Sequence, residues 1–567
     1  MAALAPGANA LRLQLNGLDY GILAVYFALV VVIGLLARRA IATSEDFLLA
    51  GRALPAWITG LAFISANLGA IEILGMAANG AQYGWSTVHF YWIGAVPAMV
   101  FLGLVMMPFY YGSGVRTVPE YLRRRFNPAA HLFNAVSFAV AAVLQAGVNL
   151  YALAIILEAL LGWSLWLSVV VAAGFVLAYI ALGGLSGAIY NEVLQFFVIL
   201  AGLIPVVVVG LVHVGGWGGL QAAVGHTALG TAAFSIWKGT GIPWSNPLGD
   251  WVGIVFGLGF VLSFGYWTTN FAEVQRALSA KDLSAGQRTP LIGAYPKIFI
   301  PFVTIIPGLI ALVLVPNLGK TSDLPYNDAI PLLMGMFLPN GVLGVAMAGL
   351  LAAFMAGMAA NVSSFNTVFT YDIWQGYVRR DRSDSYYLRV GRIITIVGVL
   401  VGIATAYIAS GYSNIMNYIQ LLFSFFNAPL FATFLIAMFW KRVSPLSGVF
   451  GLVAGTLGAA VFHFVAYDLS YFYPGGHIDA AHALINAQMQ NFYGAITAFL
   501  ADALVTVIVT LLGKPKPLHE LRGLVWGVAD PAAPDPTHAA RPPWWESPRL
   551  LGFGALGITL VLSLLFL

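Results

Sequence analysis

The sequence predicts an all-α polytopic membrane protein of about 14 transmembrane helices built on a five-plus-five inverted repeat. Three observations lead there. The chain of 567 residues is 60% hydrophobic and only 8% charged, with a mean hydropathy of +0.87, whereas about a quarter of the residues of a soluble domain are charged. Its apolar residues gather into runs of roughly 20, the length that crosses a bilayer. Two of those runs are interrupted at mid-length by glycine and polar residues, and they lie five crossings apart, as an inverted repeat would place them around a shared centre.

In chain order the crossings are read at 20–37, 57–80, 88–110, 132–161, 165–182, 188–214, 251–271, 291–315, 342–373, 393–408, 415–440, 447–467, 492–512 and 550–567. The second, WITGLAFISANLGAIEILGMAANG, holds Asn67, Gly69, Glu72 and Gly75 in its middle. A carboxylate at bilayer depth is expensive and glycine lets the backbone unwind, so the stretch reads as a broken helix lining a polar cavity. The plain alternative is a continuous helix whose glycines allow close packing and whose polar side chains bond to neighbours. The seventh run lies within WVGIVFGLGFVLSFGYWTTNFAEVQR (251–276) and carries Ser263, Gly265, Thr268, Thr269 and Asn270; it reads the same way.

Basic residues fall on alternate loops. One set comprises Arg38, Arg39, Arg52, Arg116, Arg123, Arg124, Arg125, Arg276, Lys281, Arg288, Arg379, Arg380, Arg382, Arg389, Arg392, Lys441, Arg442 and the tail residues Lys514, Lys516, Arg522, Arg541 and Arg549; the opposite set holds Arg12, Lys238 and Lys320. Positive charge marks the cytoplasmic side, so both termini are expected to be extracytoplasmic, in the plasma (cell inner) membrane. The net charge of +4 then reports orientation and not a nucleic-acid partner. The first 20 residues lack the charged start and cleavage site of a signal peptide, so the first helix is expected to be retained.

Zero cysteines exclude disulfides, thiolate metal sites and thiol nucleophiles. No run of about 100 residues has soluble-domain composition, which leaves no room for an ATPase or redox module. No Ser/His, HExxH or paired-Asp constellation lies within the helices, so neither enzyme chemistry nor a cofactor is expected. The stretch GGHIDAAH (475–482) reads as solvated loop and not as a metal site, and the Pro/Ala-rich 513–549 as a cytoplasmic linker without a fold of its own. The chain divides into 1–53 (N-terminal segment and first flanking helix), 54–214 (first repeat), 215–440 (second repeat, after an extracellular loop 215–250) and 441–567 (three flanking helices and the linker).

Lys297 is the one Lys or Arg inside an apolar run, between IGAYP and IFIPF. Such a cation wants a carboxylate, from Glu72 or from a bound solute. Paired with Glu72 it favours a neutral solute; free, an anionic one. A lysine snorkelling to the membrane surface is the structural alternative.

The stretches EDFLLAGRALPAW (45–57), SANLGAIEILGM (65–76), TVPEYLRRRF (117–126), GGLSGAIYNEVLQ (183–195), YWTTNFAEVQRALSAK (266–281), FNTVFTYDIW (365–374) and NYIQ (417–420) resemble the motifs of the solute:sodium symporter family. Its members include sodium/glucose, sodium/proline and sodium/sialic acid cotransporters. The resemblance runs to Trp440. It implies a LeuT-type inverted repeat in the second through eleventh helices, with one helix before and three after. It also implies secondary active import of a small polar solute, a sugar in the first place, coupled to sodium by alternating access. The partners implied are a small-molecule substrate, a coupling cation and the lipid bilayer. A receptor is not expected, since no catalytic domain follows 514.

Carried over residue by residue, the family's main sodium site falls on the backbone carbonyls of Ser65, Leu68 and Ala353 and on two hydroxyl positions that here are Ala356 and Gly357. The nearest serines, Ser363 and Ser364, lie two turns on, about 10 Å of helix rise away. With both hydroxyls replaced, a proton-coupled or uncoupled transporter of a sugar, polyol or small organic acid stays open beside sodium coupling. Glu192 stands where the family has Asp near a sodium exit route, as cation ligand or proton carrier, or else as a hydrated structural group at a cytoplasmic mouth. The sugar-binding positions fall on Glu72, Tyr91, Ser263, Lys297 and Gln420, with Tyr266 as an inner aromatic lid. Lys297 and Gln420 keep the family's residue type; Tyr91 stands where sugar carriers often place Glu, and Glu72 where they place Gln or His. Such a pocket suits a neutral polyhydroxylated ring.

Overall fold

A computed structural model describes residues 13–39, 41–237, 248–321, 324–471, 487–528 and 543–567, and these build a helical bundle. Helix α1 (Gly17–Arg38) precedes the core. Helices α2 (Ala56–Asn67) and α3 (Ala70–Tyr83) form one bent span, followed by α4 (Trp85–Gly112), α5 (Pro128–Leu161) and α6 (Leu165–His213). The second half begins with another bent span, α7 (Gly253–Thr269) and α8 (Phe271–Leu278), then α9 (Leu283–Leu314), α10 (Val342–Val378), α11 (Asp384–Ala409) and α12 (Ile415–Phe439). Helices α13 (Ser447–Tyr471), α14 (Ala487–Leu512) and α15 (Pro548–Leu565) flank the core. The bends measure 51° and 48°, so the two interrupted runs are broken helices.

Local sequence sets the starts. The side chains of Asn16, Asn127, Asp282 and Asn414 accept hydrogen bonds from first-turn amides of α1, α5, α9 and α12, groups with no partner inside their own helix. Buried Asp19 fastens α1 to the start of α10: its carboxylate accepts from Gly341 N (2.6 Å), Gly344 N (2.8 Å) and Asn340 Nδ2 (2.6 Å). Helices α3 and α9 cross closely because Gly80 and Gly308 carry no side chain there; a Cβ on either would fall on a backbone carbonyl of the other helix, the small-residue packing of membrane bundles.

Among the described residues, eleven helices are long and apolar enough to cross a membrane, thirteen if each bent pair is one span. The difference from the fourteen expected lies in α6, which turns at Gly184 (φ 55°). Its second part, Gly184–His213, has spanning length; its first contributes the shorter apolar stretch Leu165–Leu177. Helix α10 lies inside the bundle, with 89% of its most apolar stretch covered by protein against 22% for α1 and 17% for α15. Val25 and Val32 on α1, Leu504 and Ile508 on α14, and Leu560 and Leu564 on α15 point outward, a belt suited to lipid. The chain is a multi-pass integral membrane protein.

Part of the stretch expected as an unfolded linker instead docks on the bundle. Tyr121 Oη donates to the Leu524 carbonyl (2.6 Å), the Trp526 amide donates to the Met438 carbonyl (2.8 Å), and Leu521 is buried. Leu521, Leu524 and Val525 supply the apolar contacts that hold it. Residues 529–542, the loop 475–482, and Arg12, Lys238 and Arg541 lie outside the described residues.

Candidate functional site

The two breaks meet at the centre of the bundle. At the first, Leu68 (φ −73°, ψ 41°) leaves the helix and Gly69 is extended (φ −80°, ψ −165°), conformations open to any residue. Gly69 is required for a different reason: a Cβ there would stand 2.6 Å from the Asn149 amide oxygen. That oxygen accepts the hydrogen bond of the Ala70 amide (2.9 Å), the first donor of α3. At the second break Asn270 is extended (φ −70°, ψ 115°), and its side chain accepts from the Ala272 amide (2.9 Å) at the start of α8.

Between the breaks lies a cavity of about 70 Å³. All six residues expected to hold solute, Glu72, Tyr91, Ser263, Tyr266, Lys297 and Gln420, line it. Lys297, 2% exposed, sits 2.9 Å from Glu72 Oε1 and donates to Asn67 Oδ1. The rings of Tyr91 and Trp267 face its ammonium at 5.0 and 5.1 Å, a further electrostatic attraction. The paired alternative for Lys297 is therefore the one the fold adopts, and snorkelling is not. Tyr91 Oη and Thr304 Oγ1 are joined by a hydrogen bond (3.0 Å) in which either hydroxyl can donate. Ser263 Oγ donates back to the Leu258 carbonyl (2.8 Å), which occupies its proton. Tyr266 stacks on Phe423 (4.6 Å between ring centroids), accepts from Asn67 Nδ2 (2.9 Å) and donates to Glu273 Oε1 (2.6 Å). Two buried acceptors in the wall, Gln420 Oε1 and Glu273 Oε2, have no hydrogen-bond donor among the described residues.

The family model described as the sodium:solute symporter family matches residues 47–455. The chain belongs to the sodium:solute symporter family. It is a membrane transporter, not an enzyme, and membership supports sodium-coupled solute transport. Among relatives, the sodium/glucose cotransporter 4 of Homo sapiens is 30% identical over 548 residues, covering 91% of this chain and 79% of that protein. The sodium/glucose cotransporter of Vibrio parahaemolyticus is 29% identical over 483 residues, covering 81% and 87%. Among solved structures, a Na+-coupled sialic acid symporter in a substrate-bound outward-open state superposes with a TM-score of 0.68 at 19% identity, covering 88% of this chain and 99% of that one. The fold is the LeuT-type inverted repeat.

This symporter's sodium-site positions fall around the first break. Ser65 and Leu68 close α2, and Ala353, Ala356 and Gly357 are buried in α10, with Gly357 in the cavity wall. Ser363 and Ser364 donate to the Ala360 and Asn361 carbonyls of their own helix (3.1 and 3.0 Å) and do not reach the break. Where a side chain of Gly357 would begin stands the amide of Asn149. The Ser65 hydroxyl is buried with no hydrogen-bond partner among the described residues. Among the described residues no hydrogen bond reaches the Leu68 carbonyl. A set of main-chain, amide and hydroxyl oxygens suits a hard cation, so the surroundings of the break fit sodium, with a donor the family motif does not contain.

Glu192 differs from the hydrated alternative. It is fully buried and its two oxygens are held by Arg276, at 2.5 Å from Nη2 and 3.3 Å from Nε. Its carboxylate is thus paired inside the protein and is not a hydrated group at a mouth. Arg276 and Glu273 escaped the sequence reading of the membrane core because the apolar run ends at Phe271, whereas the broken span continues through Leu278. Asn149 escaped it too, although Gln145 and Asn149, four apart in an apolar helix and both lining the cavity, form a polar pair on one face.

Proposed function

We propose that this symporter accumulates a neutral polyhydroxylated solute, a sugar or polyol, with sodium, by alternating access. The observation that carries the solute class is the Lys297–Glu72 pair at 2.9 Å: the one ammonium in the cavity wall is already compensated and exerts little pull on an anion. What the wall offers instead is acceptors. Among the described residues Gln420 Oε1 and Glu273 Oε2 are buried without donors, a state that costs about 1–3 kcal/mol each and that solute hydroxyls would relieve. The rings of Tyr91, Trp267, Tyr266 and Phe423 supply flat apolar faces for a sugar ring.

The cavity's 70 Å³ is well below the roughly 300–1,000 Å³ of a small-molecule site. A bound sugar therefore requires side chains to yield. Tyr266 is the group to move, since its hydroxyl bridges α2 to α8 through Asn67 and Glu273 and its ring closes on Phe423. Rocking of one helix set on the other would open that bridge on one side at a time. Sodium, when bound by the carbonyls of Ser65, Leu68 and Ala353, supplies positive charge beside the break. The distribution of basic residues supports extracytoplasmic termini.

One observation favours a second reading. Two carboxylates, Glu72 and Glu273, face one ammonium across the cavity, and a proton on Glu273 would balance them, making the chain proton-coupled. Uptake into proteoliposomes tests both readings. Sugars, polyols, amino acids, amines and monocarboxylates are compared under an inward sodium gradient and under a pH gradient. Accumulation of a sugar or polyol driven by sodium is the expected result. Uptake that ignores sodium and follows pH would replace the ion; selective uptake of amines or carboxylates would overturn the solute class.

A further inference from the structure

We infer that Asn149, from α5, supplies the side-chain oxygen that completes the sodium site at the first break, in place of the hydroxyls absent from Ala356 and Gly357. The inference rests on the sodium coupling proposed above. Its basis is a three-way fit between α3, α5 and α10. The Asn149 amide oxygen lies between Gly69 and Gly357: a Cβ on Gly69 would be 2.6 Å from it, and a Cβ on Gly357 would overlap it and stand 2.8 Å from the Asn149 Cγ. An oxygen that close to the Cβ position of residue 357 fills the space into which a serine side chain at 357 would project. The ligand atom has been exchanged, not lost.

The chemistry of the exchange is consistent. A serine hydroxyl and an amide carbonyl are both neutral hard oxygens. The Asn149 oxygen has two lone pairs; one accepts the Ala70 amide (2.9 Å), which fixes its direction, and the other remains. Its Nδ2 donates to the Gln145 carbonyl (3.1 Å), so the assignment of oxygen and nitrogen follows from both bonds. The Leu68 carbonyl and Ser65 hydroxyl at the same break have no partner among the described residues. The break also opens on the cavity whose formal charge is one negative, from Glu72, Glu273 and Lys297, which a single monovalent cation brings to zero.

The pairing dictates the test. Sodium binding is read on purified full-length protein in detergent, without transport, as stabilisation against heat in sodium chloride relative to choline chloride; solute binding is read separately. Wild type is expected to be stabilised by sodium. Asn149→Ala is expected to weaken the apparent sodium affinity by ~tenfold or more, the range for disturbing a metal site's ligand shell. Asn149→Asp keeps the acceptor and is expected to bind sodium at least as tightly as wild type. Gly357→Ser alone collides with the amide and is expected to lose the sodium response, whereas Asn149→Ala with Gly357→Ser regains it. If Asn149→Ala or, should it fail to fold, Asn149→Leu responds to sodium as wild type does, the inference is overturned. It is equally overturned if wild type binds a sugar or polyol with no sodium response, an outcome that leaves the solute reading standing.

Discussion

Removing the Glu72 charge tests the central arrangement most directly. Glu72→Gln keeps the shape of the side chain but leaves the Lys297 ammonium, 2% exposed, with Asn67 Oδ1, two ring faces and the Glu273 carboxylate across the cavity as its remaining partners. At 2.9 Å and an effective dielectric of ~20, the lost Coulomb attraction is about 6 kcal/mol. Relaxation and water entry reduce this, and breaking one side of a buried pair costs about 3–5 kcal/mol in practice. The ring contacts persist in both proteins and cancel in the difference. A chain of this size shifts in melting by at most ~2 °C per kcal/mol, so melting in detergent falls by about 5 °C. The double variant Glu72→Leu with Lys297→Met replaces the pair by apolar groups of similar volume, a change often neutral or stabilising. It is expected to recover melting but not solute binding. In the Glu72→Gln protein the cavity loses its net negative charge, so monocarboxylates are repelled less and begin to compete with solute. If Glu72→Gln melts as wild type and the double variant is no better than either single one, the pair does not form and the case for a neutral solute falls with it.

Three further outcomes follow from named contacts. Tyr266→Phe removes the hydroxyl that joins Asn67 to Glu273, a charge-assisted bond of about 1.5–3 kcal/mol; solute efflux is expected to quicken by roughly tenfold, measured by washout from loaded proteoliposomes, and unchanged efflux would rule Tyr266 out as the lid. Glu192→Gln strands the buried Arg276 and is expected to lower melting by a similar cost, about 3–5 kcal/mol, equally in sodium and choline; a loss confined to sodium would return Glu192 to an ion pathway. Gly308→Ala sets a methyl group on the Ala77 carbonyl and is expected to destabilise by about 1–3 kcal/mol, whereas Gly557→Ala, with nothing within 4 Å, is expected to melt as wild type.

What could be read from the chain, and what could not, divides along one physical line. Asn67, Gly69 and Glu72 announce a break because polar groups at bilayer depth are costly wherever they point. Lys297 asks for a carboxylate by the same reasoning. These are properties of single residues in a known solvent. Glu273 was missed because hydropathy ends a span where charges begin, whereas α8 remains inside the protein and shields Glu273 and Arg276 from lipid. Docking of 514–528 was missed because Leu521, Leu524 and Val525 sit among prolines and charges, and their partners, Tyr121 ahead of α5 and Met438 on α12, are set only by the assembled bundle.

Asn149 marks the limit most sharply, and the reason bears on how degenerate motifs are interpreted. Position by position, Ala356 and Gly357 record two deletions and nothing more. The oxygen that fills the space beside position 357 lies on another helix, 79 residues from the Ala70 amide it also serves, and it fits only because Gly69 and Gly357 both lack a side chain. A glycine that appears to degrade a site is, in that geometry, what makes room for its replacement. The three positions must then vary together: a serine at 357 is compatible with a small residue at 149, and an asparagine at 149 with glycine at both 69 and 357. A relative that transports with sodium while combining Ser at the 357 position with Asn at the 149 position, without a compensating shift of α5, would contradict that coupling.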